Sequence, residues 1–120
     1  MRVVIRADAS PSIGTGHVVR CSALAEELRA FGDDVTLVTC TSIGSLATPW
    51  QALGVTVRKL AAPIGSPEDA AQTRTEVRNA QASWLVLDGY HFDRTYRSSV
   101  RESGRLLVLD DHGQPALDAD

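Results

Sequence analysis

The sequence is short of lysine, short of cysteine, and holds no long apolar run. Only Lys59 is a lysine among its twelve basic residues, and the formal net charge is −3. A basic surface for nucleic acid is therefore not indicated, and the preference for arginine reads as a compositional habit of the source. The two cysteines, Cys21 and Cys40, show neither metal-ligand spacing nor a disulfide framework. They read as reduced, largely buried thiols. The opening Met1-Arg2-Val3-Val4-Ile5-Arg6 is too short an apolar run for a signal-peptide core, and no segment approaches a membrane span. A cytoplasmic location is the default expectation. What remains is 120 residues with 43% apolar and 22% charged side chains, the balance of one soluble globular domain spanning 1–120.

Strand-like and helix-like periods alternate along the chain. Val3-Val4-Ile5 is a β-branched run that ends in the loop Ala7 to Pro11. From His17 to Phe31 the period becomes helical, with Cys21, Leu24, Ala25, Leu28 and Phe31 on one face and Gly32 as the stop. Val35 to Thr39 reads as a second strand. Ser45 to Leu53 reads as a short helix with Pro49 in its first turn, and Val55 to Val57 as a third strand. Ser66 is the predicted N-cap and Pro67 the first residue of a polar helix reaching about Gln81. Trp84 to Leu87, a helix from Asp93 to Ser103, and Leu106 to Leu109 complete the series. Continuous apolar strands alternating with helices indicate an α/β fold with a parallel sheet covered on both faces. Right-handed crossovers make a doubly wound, Rossmann-like sheet the economical topology, with 3-2-1-4-5 the preferred strand order.

In such a sheet ligands bind beyond the carboxyl ends of the strands, where the strand order reverses. The loops that meet there contain Asp8 to His17, Asp88 to Phe92 and Asp110 to Gly113. The first is the most informative. Gly14 and Gly16 around Thr15 permit close backbone approach, and the helix that follows offers free N–H groups to an anion such as a diphosphate. Val19 stands where the third glycine of a dinucleotide fingerprint would fall, and no Gly-Lys-Ser/Thr of a P-loop follows. Without a ligand the same turn is a tight strand-to-helix connection. His17, at the positive end of the helix, is favoured as a neutral imidazole fit to act as a general base. Its alternative role is to pack or cap the helix start. Asp8 and Ser10 are expected to brace the turn, and Tyr90, after Asp88, to offer a ring and a hydroxyl to a ligand. Asp110 and Asp111 are not a metal pair, because neighbours at a strand end point in different directions and no third ligand is suitably spaced.

These residues resemble a known family. Arg6-Ala7-Asp8-Ala9-Ser10, Ile13-Gly14-Thr15-Gly16-His17, Arg20-Cys21 and Leu24-Ala25 are similar to the opening of the pseudaminic-acid pathway UDP-sugar hydrolases and related spore-coat polysaccharide proteins. Leu87-Asp88-Gly89-Tyr90 resembles that family's second motif, and Leu109-Asp110-Asp111 its third. Gly89 departs mildly, standing where some members carry a larger polar residue. The resemblance implies the N-terminal half of a glycosyltransferase-B-type architecture, with the site completed by a nucleotide-binding C-terminal domain. It implies cleavage of a UDP-linked deoxy-amino sugar at C1 by water with inversion, and no cofactor or metal. By position, His17 would orient or activate the water. Gly14, Thr15, Gly16 and Arg20 would lie against the substrate and Tyr90 against the sugar, supported by Asp8, Ser10, Asp88 and Asp111.

Two other classes compete. A sugar transferase of the same architecture would admit an acceptor alcohol in place of water. A non-catalytic nucleotide-sugar-binding module would bind without turnover. A receiver domain is excluded, since it needs an acidic pair after the first strand and a lysine after the fifth, whereas Asp8 stands alone and Lys59 belongs to the third.

Overall fold

A computed structural model describes residues 1–109. The chain alternates β1 (Arg2–Ala7), α1 (Gly16–Ala30), β2 (Asp34–Thr39), a 3-10 turn (Gly44–Leu46), α2 (Ala47–Ala52), β3 (Thr56–Lys59), α3 (Pro67–Ala80), β4 (Trp84–Asp88), α4 (Arg94–Arg101) and β5 (Arg105–Leu109). All four pairings are parallel and the order is β3-β2-β1-β4-β5, the order expected from the sequence. Because the chain returns to pair β4 with β1 on the side away from β2, the reversal lies between β1 and β4, and a crevice opens at their carboxyl ends.

The central strands are buried on both faces. Val3, Ile5 and Ala7 of β1, with Leu37 and Val86, meet Val18, Cys21 and Ala25 of α1 and the wholly enclosed Trp50 of α2. On the opposite face Val4, Val38, Leu85, Leu87 and Leu106 meet Ala70 and Val77 of α3 and Tyr96 and Val100 of α4. The strands therefore carry apolar runs and not an alternation, since both faces need the same solvent.

Local chemistry sets the element ends. Ser66 Oγ accepts from Asp69 N at 3.1 Å, with Pro67 opening α3. Asp93 Oδ1 accepts from Tyr96 N at 2.8 Å at the start of α4. Pro49 sits in the first turn of α2, where its missing N–H costs no helical bond. One expectation fails. Phe31 does not continue the buried face of α1 but is 81% exposed. The helix ends at Ala30, and Phe31 caps it with φ −83° and ψ 1°, so the helical period no longer aims its ring at the sheet. Among the described residues no helix is long and apolar enough to cross a membrane.

Candidate functional site

The β1/β4 crevice brings together residues that are 71 positions apart. Asp88 closes β4 with its side chain wholly buried, on the sheet face that α1 covers. His17 is the second residue of α1, and its Nδ1 lies 2.7 Å from Asp88 Oδ1. One turn later Arg20 grips the same carboxylate, Nε to Oδ2 at 2.6 Å and Nη2 to Oδ1 at 2.5 Å. The Cys21 thiol lies 3.3 Å from Oδ2. An ionised carboxylate only accepts, so Nδ1 of His17 carries a proton towards Asp88, and in the neutral ring the lone pair is then on Nε2. Among the described residues nothing hydrogen-bonds Nε2. Arg20 meanwhile counters the charge of Asp88, an arrangement that tethers the imidazole in place. The Tyr90 ring meets His17 edge to face, with centroids 4.7 Å apart at 76°, while 54% of the tyrosine stays exposed. His17, Arg20, Asp88 and Tyr90 thus form one cluster.

The glycine turn runs beside it. Gly14 N donates to Ser10 O at 2.7 Å, and Ser10 Oγ accepts from Ile13 N at 3.1 Å, so Ser10 closes the turn. Gly14 has φ +84°, which a side chain would strain. Gly16 is different: its φ is ordinary, and a Cβ there would meet nothing within 4 Å. The fold does not require its lack of a side chain. Thr15 makes no side-chain cap at the start of α1, and that helix has no acidic residue in its first turn.

Asp8 does not join the histidine cluster. Its Oδ1 accepts from Cys40 N at 2.7 Å and Thr39 Oγ1 at 3.0 Å, tying the end of β1 to the end of β2. Its Oδ2 accepts from Arg6 Nη1 at 2.6 Å. Arg6 is wholly buried within β1 and also binds Asp69 bidentately, at 3.0 and 2.7 Å, with its guanidinium 5.1 Å from the Phe92 ring centroid. Asp69 in turn accepts from Gly65 N, Thr73 Oγ1 and Tyr96 Oη. This second network, on the sheet face away from His17, escaped the sequence reading. Its signal was a lone arginine inside the apolar run of a central strand, a charge that burial obliges to find a partner.

Burial opposes ionisation of Asp69, yet the hydrogen bond and charge of Arg6 prevail and hold the carboxyl below its ordinary value. For Arg6 burial acts downward, and Asp69 and Asp8 outweigh it, so the guanidinium is held above its ordinary value. Burial, then the charge of Asp88, pushes the Cys21 thiol well up. Burial likewise raises Cys40 to about 12, against the opposing charge of Arg6. Both thiols are free and held protonated at neutral pH. Among the described residues no group of three or more His, Cys, Asp or Glu is placed to hold a metal. Asp110 and Asp111 lie outside the described residues.

No family model matches the sequence, and no curated protein matches it significantly. Solved structures do. The chain is similar to a glycosyltransferase from Rickettsia africae ESF-5, with TM-score 0.65 and 9% identity over 89% of this chain. It spans 28% of that glycosyltransferase's length. It is also similar to a universal stress protein in complex with cAMP, with TM-score 0.57 and 14% identity, covering 91% of this chain and 95% of that one. At such identities the likeness is one of fold: a Rossmann-like α/β domain of the kind found in a glycosyltransferase.

Proposed function

We propose that this domain is the sugar-facing half of a nucleotide-sugar hydrolase, with His17 as its general base. The observation that carries the reading is the His17–Asp88 hydrogen bond at 2.7 Å, which leaves Nε2 as acceptor at the β1/β4 crevice. The proposed substrate is a UDP-linked deoxy-amino sugar. Water gives its proton to Nε2 as its oxygen bonds to C1. The C1–O bond to the diphosphate breaks with inversion, and its electron pair leaves on UDP. The free sugar and UDP are the products, and the imidazolium, stabilised by Asp88, returns its proton to solvent. The uncapped start of α1 beside Gly14 to Gly16 suits the diphosphate. A second domain supplies the remaining nucleotide contacts, in a cytoplasmic enzyme that needs no nucleic acid, membrane, metal or cofactor.

The polypeptide carrying this domain together with its nucleotide-binding partner domain is to be assayed for UDP release from a panel of UDP-amino sugars. His17→Ala is expected to lower turnover by about 10²- to 10⁴-fold, the usual range for a positioned base, at little change in thermal midpoint. Undiminished turnover in that variant removes His17 from the role. The solved glycosyltransferase supports a second reading equally well, in which the same base deprotonates an acceptor alcohol. Products separate the two: a free reducing sugar marks hydrolysis, and a new glycoside marks transfer. A binding module of the kind suggested by the universal stress protein would instead show saturable affinity without turnover.

A further inference from the structure

A buried cation in α4 meets no carboxylate among the described residues. Arg97 is only 7% exposed. Its Nη1 donates to Phe92 O at 2.6 Å, a neutral carbonyl, and its buried Nε finds no acceptor. The other enclosed guanidinium groups are matched. Arg6 holds Asp69, and Arg20 holds Asp88, each through Nε and Nη2 on the two carboxylate oxygens. In Arg97 the corresponding Nε is the atom left without a partner. Burial obliges such a charge to find an anion.

Helix geometry puts the guanidinium at the crevice end of the sheet. Side chains of a helix lean towards its N-terminus. The bond to Phe92 O, five residues earlier in the loop after β4, holds Arg97 in that direction. α4 covers the sheet face on which Leu106 and Val108 pack. Leu107 and Leu109 belong to the other face, where Leu24 and Leu28 of α1 stand. Side chains alternate along a strand, so the position after Leu109 belongs to the face of α4. In the sequence that position is Asp110. The register agrees: Leu109 pairs with Asp88, the last residue of β4, so the next position falls at the carboxyl edge of the sheet.

We propose that Arg97 is the receptor for the carboxylate of Asp110, held through Nε and Nη2 as Arg6 holds Asp69. The alternation selects Asp110 over Asp111, which it turns to the opposite face. The two-pronged pair locks the chain to α4 where it leaves β5, and so fixes the third wall of the crevice. This anchor serves a hydrolase, a transferase or a binding module alike.

The test is a double-mutant cycle on the full chain, read by urea unfolding. Asp110→Asn is expected to raise the unfolding equilibrium constant at least about tenfold, or about 1.4 kcal/mol. In an Arg97→Met background the same substitution should change it less than about twofold, because the cation it would strand is gone. Asp111→Asn should show no such coupling. The Arg97 Nε–H resonance, observed by ¹H–¹⁵N NMR, should move in Asp110→Asn and stay in place when inorganic pyrophosphate is added to the parent. The proposal is overturned if Asp110→Asn costs the same in both backgrounds or if Asp111 carries the coupling instead. It is equally overturned if pyrophosphate moves the Nε–H resonance and Asp110→Asn does not, which would make Arg97 part of an anion-binding site. Should Arg97→Met fail to fold, the resonance in Asp110→Asn, where Arg97 is intact, decides by itself.

Discussion

At the scale of single residues the account turns on which nitrogen of His17 carries its proton. Position at a helix start suggested a neutral imidazole, but it said nothing of orientation. The carboxylate of Asp88 supplies that, because it can accept from Nδ1–H and cannot donate to it. Ring ¹⁵N NMR at about pH 8, where an ordinary imidazole is neutral, should therefore find His17 chiefly as the Nδ1–H tautomer. Asp88→Asn should weaken that preference, since an amide can turn its NH₂ towards the ring and favour the other tautomer. A wild-type spectrum dominated by Nε2–H would mean that Nε2 is no base. His17, Asp88 and Tyr90 were each legible as candidates in the sequence because glycine and polar residues concentrate at strand ends. Their pairing was not, because it depends on β4 lying beside β1, and no local pattern encodes a contact across 71 residues.

At the scale of elements, α3 is held to the sheet by a charge as well as by apolar packing. Asp69 sits in its first turn with no exposed surface and joins Arg6 of β1 to Tyr96 of α4. Removing one member of such a buried set strands the other, so Asp69→Ala should cost about 3–5 kcal/mol in denaturant unfolding. The same pair sets a pH limit. The carboxyl is held below its ordinary 3.8 in the folded chain, so the unfolded chain takes up the proton first as the pH drops. The stabilisation is complete above about pH 4 to 5 and disappears as the pH falls through the folded value. Unfolding followed against pH should show this acid loss in the parent and a shallower one in Asp69→Ala. A variant as stable as the parent would show the network to be incidental. Helix and strand positions were readable here from period, caps and stops, with Ser66, Pro67 and Gly32 marking helix ends. Phe31 was misplaced because a helical period gives no warning of the residue at which the helix ceases. Arg6 and Asp69 were missed because charge in a sequence looks like surface until a topology encloses it.

At the scale of the whole molecule, a doubly wound sheet opens its crevice wherever the strand order turns, so the fold placed the site before any side chain was considered. The strand order is the expected one, although right-handed crossovers also admit the order 2-1-3-4-5 and handedness alone did not decide between them. Chemistry is less fully contained in the chain. One side of the crevice carries a histidine held by a buried carboxylate and an exposed aromatic ring, while the diphosphate of the proposed substrate calls for donors from more than one direction. The most direct measurement of the central claim is hydrolysis of a UDP-amino sugar in ¹⁸O-water by the polypeptide that unites this domain with its nucleotide-binding partner. The account predicts that the label enters the C1 hydroxyl of the released sugar, none enters UDP, and His17→Ala loses the incorporation. Label in the phosphate of UDP, which would mean attack at phosphorus, or labelled sugar formed equally well without His17, would contradict it.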